Sequence, residues 1–190
     1  LIDMSHISAK AMSDILDITK APVIFSHSNV RALCDVNRNV PDDILIRLKQ
    51  NNGIIMLTPV PYFTRDEHNR WLNNRDSMGE ALYARFKQNP NDSLALDKIN
   101  EQWQLDNPEP VVTIADLANH FDYVKKLIGV DYIGIAGDYD GIEFFIKGME
   151  DIASFPGLLA ELARRGWTEK ELLQITSENF LRVFAEVEHK

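Results

Sequence analysis

One cysteine, Cys34, stands in 190 residues. That excludes an internal disulfide and any metal knuckle built from several thiolates. Nothing nearby favours Cys34 as a nucleophile over a small buried hydrophobe. No run of about 18 apolar residues exists, so no segment crosses a bilayer as a helix. Basic residues are the minority, 20 against 29 acidic, for a net charge of −9, and they form no stripe. Nucleic acid is therefore excluded as a partner, because phosphate binding needs clustered Lys and Arg. Hairpin signals between alternating strands are also missing, which speaks against an antiparallel sheet. The chain opens on apolar Leu1 and Ile2, with no initiator Met, signal peptide or polar arm. It reads as a piece cut from something larger, and its compartment stays unknown.

What is present is an ordinary globular balance, 45% hydrophobic and 26% charged, enough for one domain with a sizeable core. Apolar runs at 1–6, 22–27, 53–58 and 131–137 read as strands, and each is followed by a helical pattern. The first helix is expected over Ser8 to Lys20, with Ile15, Leu16 and Ile18 toward the core. Pro41-Asp42-Asp43 opens a second, buried through Ile44, Leu45 and Leu48, with Gly53 as the left-handed residue past its end. Thr113 and Asp116 form a capping signature for an amphipathic helix reaching Gly129. His120 within it reads as a satisfied structural histidine. Helices are further expected over Leu158 to Arg165, from Thr168-Glu169, and from Glu178 to the C-terminus, where Phe180, Leu181, Val183 and Phe184 pack back on the sheet. Alternating β and α with buried strands means a parallel α/β sheet. Four βα units make half of an eight-stranded barrel.

The segment from about 62 to 110 breaks this rhythm. It reads as an insertion of short helices, 65–74, 78–88 and 92–104, separated by Asn-Pro and Asn-Asp turns, with Tyr83, Phe86 and Trp103 as anchors. A lid or interface and a packed decoration are equally good readings of it.

Chemistry gathers at the strand ends. His6 closes the first strand and His27 the second. In a βαβ unit the two strands run parallel, so both imidazoles emerge at one edge. A converging pair suits Zn²⁺, although a lone strand-end histidine is more often an ordinary hydrogen-bonded residue. Asp138 and Asp140 follow the fourth strand. In an extended backbone they point to opposite sides, so only one faces the histidines, and Asp138 comes first. A role for both as caps of the following loop is equally open. Arg38, in the loop 28–39, is suited to a substrate carboxylate, with an ion pair to Asp42 or Asp43 as the structural alternative.

Six stretches occur in order: Leu-Ile-Asp-Met-Ser-His-Ile-Ser, Ala-Pro-Val-Ile-Phe-Ser-His-Ser-Asn, Arg-Asn-Val-Pro-Asp-Asp, Gly-Asp-Tyr-Asp-Gly-Ile, Gly-Met-Glu-Asp-Ile (148–152) and Asn-Phe-Leu-Arg-Val (179–183). Together they closely resemble the membrane dipeptidase family, the renal dipeptidase-like M19 metallopeptidases, from Leu1 to about Glu188. The resemblance implies a (β/α)₈ TIM barrel with two zinc ions per complete barrel, His6 and His27 being ligands of one. It implies that Arg38 binds the C-terminal carboxylate of a dipeptide, often one with a D-residue there. Asp138 is implied as the acid/base group for the leaving amine, and a metal-bound water as the attacking group.

The departure is large. The family's His-x-Asp motif occurs nowhere in these 190 residues, and no residue is assignable as the metal-bridging Glu. The chain reads as the C-terminal part of a single barrel domain lacking its N-terminal half, and inactive alone. Three readings follow: part of a zinc dipeptidase that needs the missing half, a catalytically inactive half-barrel serving as a binding or assembly module, or a metal hydrolase whose barrel a second copy completes as a homodimer.

Overall fold

The structure, a computed structural model, describes residues 1–189. Strands β1 (Ile2–Asp3), β2 (Val23–Phe25), β3 (Ile54–Leu57) and β4 (Ile133–Ile135) form one sheet in the order β1-β2-β3-β4. Every pairing is parallel. Consecutive strands that are neighbours and parallel are the wall of a βα barrel. The strands are shorter than their apolar runs, because the chain leaves the ladder for turns ahead of His6, His27 and Asp138, and at Pro59 after β3.

The helices between strands cover one face. Helix α1 (Ala9–Ile18) is capped by Ser8, whose hydroxyl accepts from the Ala11 N–H at 3.2 Å. It buries Met12, whereas Ile18, expected in the core, is 77% exposed. Ile18 and Ile2 line an apolar hollow beside β1. Helix α2 (Asp42–Gln50) buries Ile44, Leu45 and Leu48 as expected. Helix α6 (Ile114–Ile128) starts with the full Thr113–Asp116 capping box. These faces meet Val23, Phe25, Ile55, Leu57 and Ile133 in one core.

Between β3 and α6 lie a single turn α3 (Pro61–Thr64), then α4 (Asp66–Gln88) and α5 (Ser93–Asp106). The expected break near 74–78 does not occur. No proline interrupts that stretch, and Gly79 sits in open space where a helix tolerates it. Tyr83 and Phe86 are 59% and 41% exposed, so they do not anchor the hairpin; Leu96 is its buried contact.

After β4, α7 (Phe155–Arg164) begins three residues early, with Pro156 in its first turn where a missing N–H costs nothing. Helix α8 (Glu169–Leu173), a π-turn and α9 (Asn179–Glu188) run on continuously. Val183 packs with Ile24 and Ile54 on the second sheet face, with Phe180 against them. Leu181 and Phe184 stay 59% and 44% exposed, against expectation. The expected helical end at Lys190 lies outside the described residues.

The end of α2 corrects one glycine argument. The left-handed residue is Asn52 (φ 63°), not Gly53. The Asn52 N–H donates to the Lys49 carbonyl at 3.1 Å, and the Gly53 N–H to that of Leu48 at 3.0 Å, a Schellman ending. Gly53 is needed for space: a Cβ there would lie 2.5 Å from the Val23 carbonyl oxygen.

Buried polar groups fix the loops above the sheet. The Asn29 side chain accepts from the Thr58 N–H at 2.9 Å and donates to the Thr58 carbonyl at 3.0 Å. Asn39 donates to the carbonyls of Cys34 at 2.9 Å and Phe63 at 2.8 Å. His120 on α6 accepts from the Val30 N–H through Nδ1 at 3.1 Å and meets the Thr64 carbonyl through Nε2 at 3.0 Å. Those two bonds require the neutral Nε2–H tautomer. Burial pushes its pKa down to about 4, with the Thr64 carbonyl and Asp116 opposing. Cys34 is buried, and burial, with Asp66 beside it, pushes its thiol up to about 12, so it packs as an inert hydrophobe.

Two outcomes follow. Gly53→Ala destabilises the chain by about 2 kcal/mol in urea denaturation, the cost of overpacking against backbone. His120 takes its proton at about 4 folded against an ordinary 6.5. Between these values the unfolded chain binds more protons, so stability drops as pH falls through that window, by about 3 kcal/mol in total. In His120→Gln, denaturation midpoints between pH 6.5 and 4 lose that component; an unchanged slope would contradict the assignment.

Candidate functional site

Parallel pairing of Asp3 with Ile24 puts the turns after β1 and β2 side by side. His6 and His27 face each other there, Nε2 to Nε2 at 2.7 Å, with ring centroids 4.7 Å apart. A relay behind His27 sets its tautomer. The Ser26 hydroxyl donates to Asp3 Oδ2 at 2.6 Å, and His27 Nδ1 lies 2.7 Å from the same hydroxyl oxygen. With its only hydrogen committed to Asp3, Ser26 accepts from His27 Nδ1–H. His27 Nε2 is then a bare lone pair, the form that binds a metal.

Asp3 also accepts from the N–H groups of Ser5 and Ser26, each at 3.0 Å. Burial raises its pKa, but the Ser26 hydroxyl and these N–H groups outweigh that and hold it below its usual range. His6 is held low by burial first, then by Arg38 and His27, with Asp138 and Asp3 opposing. That shift favours the neutral ring, and at 2.7 Å the bare His27 Nε2 accepts from His6 Nε2–H. The signal for Asp3 and Ser26, which sequence reasoning missed, is a carboxylate in β1 one strand away from the residue preceding His27.

His6 (φ 71°) and Asp138 (φ 58°) join Asn52 as the non-glycine residues in the left-handed region among those described. Such strain costs about 1 kcal/mol or more and gathers where geometry serves a site. After β4 the backbone does not stay extended. A 3₁₀ turn, Tyr139–Gly141, closes with the Gly141 N–H donating to the Asp138 carbonyl at 3.0 Å. A Cβ on Gly141 would lie 2.7 Å from Asp138 Oδ1, so glycine makes room for that carboxylate. Asp138 acts electrostatically on His6, Arg38 and Tyr62 together. Asp140 is exposed and acts on none of them.

Arg38 makes no ion pair with Asp42 or Asp43, the structural alternative raised from sequence. Asp42 instead accepts from the Tyr123 hydroxyl at 2.7 Å. The Arg38 guanidinium lies over Phe63 at 4.9 Å, and its Nε and Nη2 are buried without a partner. Burial pushes its pKa down, with Asp138 and Tyr62 opposing. A buried, unpaired fork of donors calls for a planar anion. The structure thus brings all four sequence-chosen residues to one rim, at the C-terminal ends of the strands. Among the described residues no cluster of three or more His, Cys, Asp or Glu is placed to hold a metal, so the histidine pair offers two ligands and no more.

Comparison with known proteins shows the family. The family described as Membrane dipeptidase (Peptidase family M19) matches residues 1–190. Dipeptidase 3 of Rattus norvegicus is 40% identical over 188 residues, covering 99% of this chain and 30% of that protein. Dipeptidase aclJ of Aspergillus oryzae is 34% identical, covering 100% of this chain and 35% of its own. The probable dipeptidase PvdM from Pseudomonas aeruginosa superposes with a TM-score of 0.78 at 27% identity, over 100% of this chain and 50% of that one. A metallo peptidase from Rhodobacter sphaeroides, liganded with a phosphinate mimic of L-Ala-D-Ala, shares the fold at a TM-score of 0.72 and 20% identity. The chain therefore spans about a third of these curated relatives and half of the PvdM chain, and it belongs to the membrane dipeptidase family, peptidase family M19.

Proposed function

We propose that residues 1–190 are the C-terminal part of a single barrel domain, with 62–110 inserted, and carry one side of a zinc-dependent dipeptidase site. The observation that carries this reading is the buried, unpartnered Arg38 guanidinium beside Asp138 and the histidine pair.

His6 and His27 face each other through Nε2, and loss of the proton shared between them leaves two lone pairs, a donor set that fits Zn²⁺. Zinc bound there would supply a Lewis acid and lower the pKa of water toward ~7, its remaining ligands coming from residues outside 1–190. The residues of this chain do the rest. Asp3 and Ser26 fix the His27 ring. Arg38 holds the C-terminal carboxylate of the dipeptide through two parallel hydrogen bonds. Asp138 holds the proton that the leaving amine nitrogen needs as the peptide bond breaks. The left-handed turn at Asp138 keeps its carboxylate close enough to act on both Arg38 and His6. Dipeptides with a C-terminal D-residue fall within the proposed substrate class, since the carboxylate and the leaving nitrogen are the groups engaged here.

Kinetics of the complete protein test this. Arg38→Met raises KM for dipeptides by roughly 10- to 100-fold with a smaller change in kcat, the loss of a charge-assisted pair. Dipeptide amides, which lack the carboxylate, are poor substrates for both forms. Asp138→Asn lowers kcat by about 100-fold or more. Wild-type KM in Arg38→Met, or equal turnover of amides and free dipeptides, would overturn the assignment.

A further inference from the structure

A cavity of about 310 Å³ lies where the inserted hairpin meets the loop after Asp138. Its walls include Trp71 from α4, Trp103 from α5 and Phe144 from that loop, with Arg75 and Glu109 among them. We propose that this pocket receives the side chain of the substrate's C-terminal residue and selects a long cationic one, lysine or arginine. The inference rests on the dipeptidase reading and names its substrate class.

The pocket is built rather than incidental. The Trp71 and Phe144 rings meet edge to face at 5.3 Å, and the Trp71 indole N–H donates to the Asn107 carbonyl at 2.9 Å. Behind them His68 is buried and reaches Glu109 Oε1 through Nε2 at 3.0 Å. Glu109 is thereby held by one oxygen, and its other oxygen makes no hydrogen bond among the described residues. The cation already present is countered twice: Arg75 pairs with Asp76 at 2.9 Å and with Glu143 at 3.3 Å. Its guanidinium lies over Phe144 at 4.7 Å, so these aromatic faces already accept a cation. Aromatic faces beside a carboxylate with one oxygen free of hydrogen bonds are the recognition chemistry of an alkylammonium or guanidinium group.

Position ties the pocket to the site. Glu143, the partner of Arg75, acts on Tyr62 together with Asp138 and Arg38. The Tyr62 ring is 6.3 Å from His68, and His68, buried behind the pocket, is 5.5 Å from Phe144, so one buried ring separates Tyr62 from the pocket's aromatic wall. In the proposed pose a carboxylate on Arg38 and a leaving nitrogen at Asp138 place the C-terminal Cα between those residues, with its side chain turned toward Phe144.

The test uses the complete, zinc-loaded protein with Ala-Arg, Ala-Phe and Ala-Ala, the C-terminal residue in both L and D forms. The expected kcat/KM for Ala-Arg exceeds that for Ala-Ala by roughly tenfold or more, in line with one desolvated cation–π and ion-pair site. Glu109→Gln and Trp71→Leu, each checked for native circular dichroism, both lower that ratio by about tenfold. Equal turnover of Ala-Arg and Ala-Ala overturns the proposal, as does a preference for Ala-Phe that Glu109→Gln leaves untouched. Absence of hydrolysis for every dipeptide is a different result: it removes the dipeptidase reading itself.

Discussion

The parallel register of β1 on β2 is the constraint on which the site depends. Pairing Ile2 with Val23 and Asp3 with Ile24 brings the two strand ends level. The Asp3 carboxylate then crosses to Ser26 and locks the neighbouring turn. A slip of one residue would turn every side chain of β1 to the other face, and the His6–His27 contact would be lost. Ladder geometry, turn geometry and imidazole tautomer are therefore one problem with one solution.

Much of this was legible in the sequence. Strand-end position alone singled out His6, His27 and Asp138, since parallel strands deliver their C-terminal residues to a common rim. The Asp138 turn was not legible, because an extended backbone and a left-handed one share the same Gly-Asp-Tyr-Asp-Gly letters, and space for the carboxylate at Gly141 settles between them. Asp3 and Ser26 were invisible for a similar reason: their roles exist only across a strand pair. Gly53 was picked for the wrong property, conformational freedom rather than close approach to Val23. Tyr83 and Phe86 misled because aromatic rings on a projecting hairpin have no sheet beneath them.

The loops are held by a second set of interactions. Asn29, Asn39 and His120 satisfy backbone groups of the 28–40 and 58–64 segments that no helix or strand pairs. A buried amide or carbonyl left unpaired costs more than a typical bond gains, so this frame is fully connected or it fails. Arg38 breaks the pattern by keeping buried donors free. Its free Nε and Nη2 lie on one edge of the guanidinium, which gives the vacancy the shape of a planar anion. The inserted hairpin adds its own link, since Arg75 and Trp71 pack on the loop that carries Asp138.

The central claim is that these residues form one side of a zinc dipeptidase site whose other ligands lie elsewhere in the protein. The most direct measurement compares zinc content and dipeptide hydrolysis for residues 1–190 alone and for the complete protein. The account predicts about two tightly held zinc ions and turnover in the complete protein, and neither in the shorter chain, because two imidazoles make a weak site. Stoichiometric zinc with turnover in residues 1–190 alone would contradict it, and so would a complete protein that is folded, zinc-free and inert.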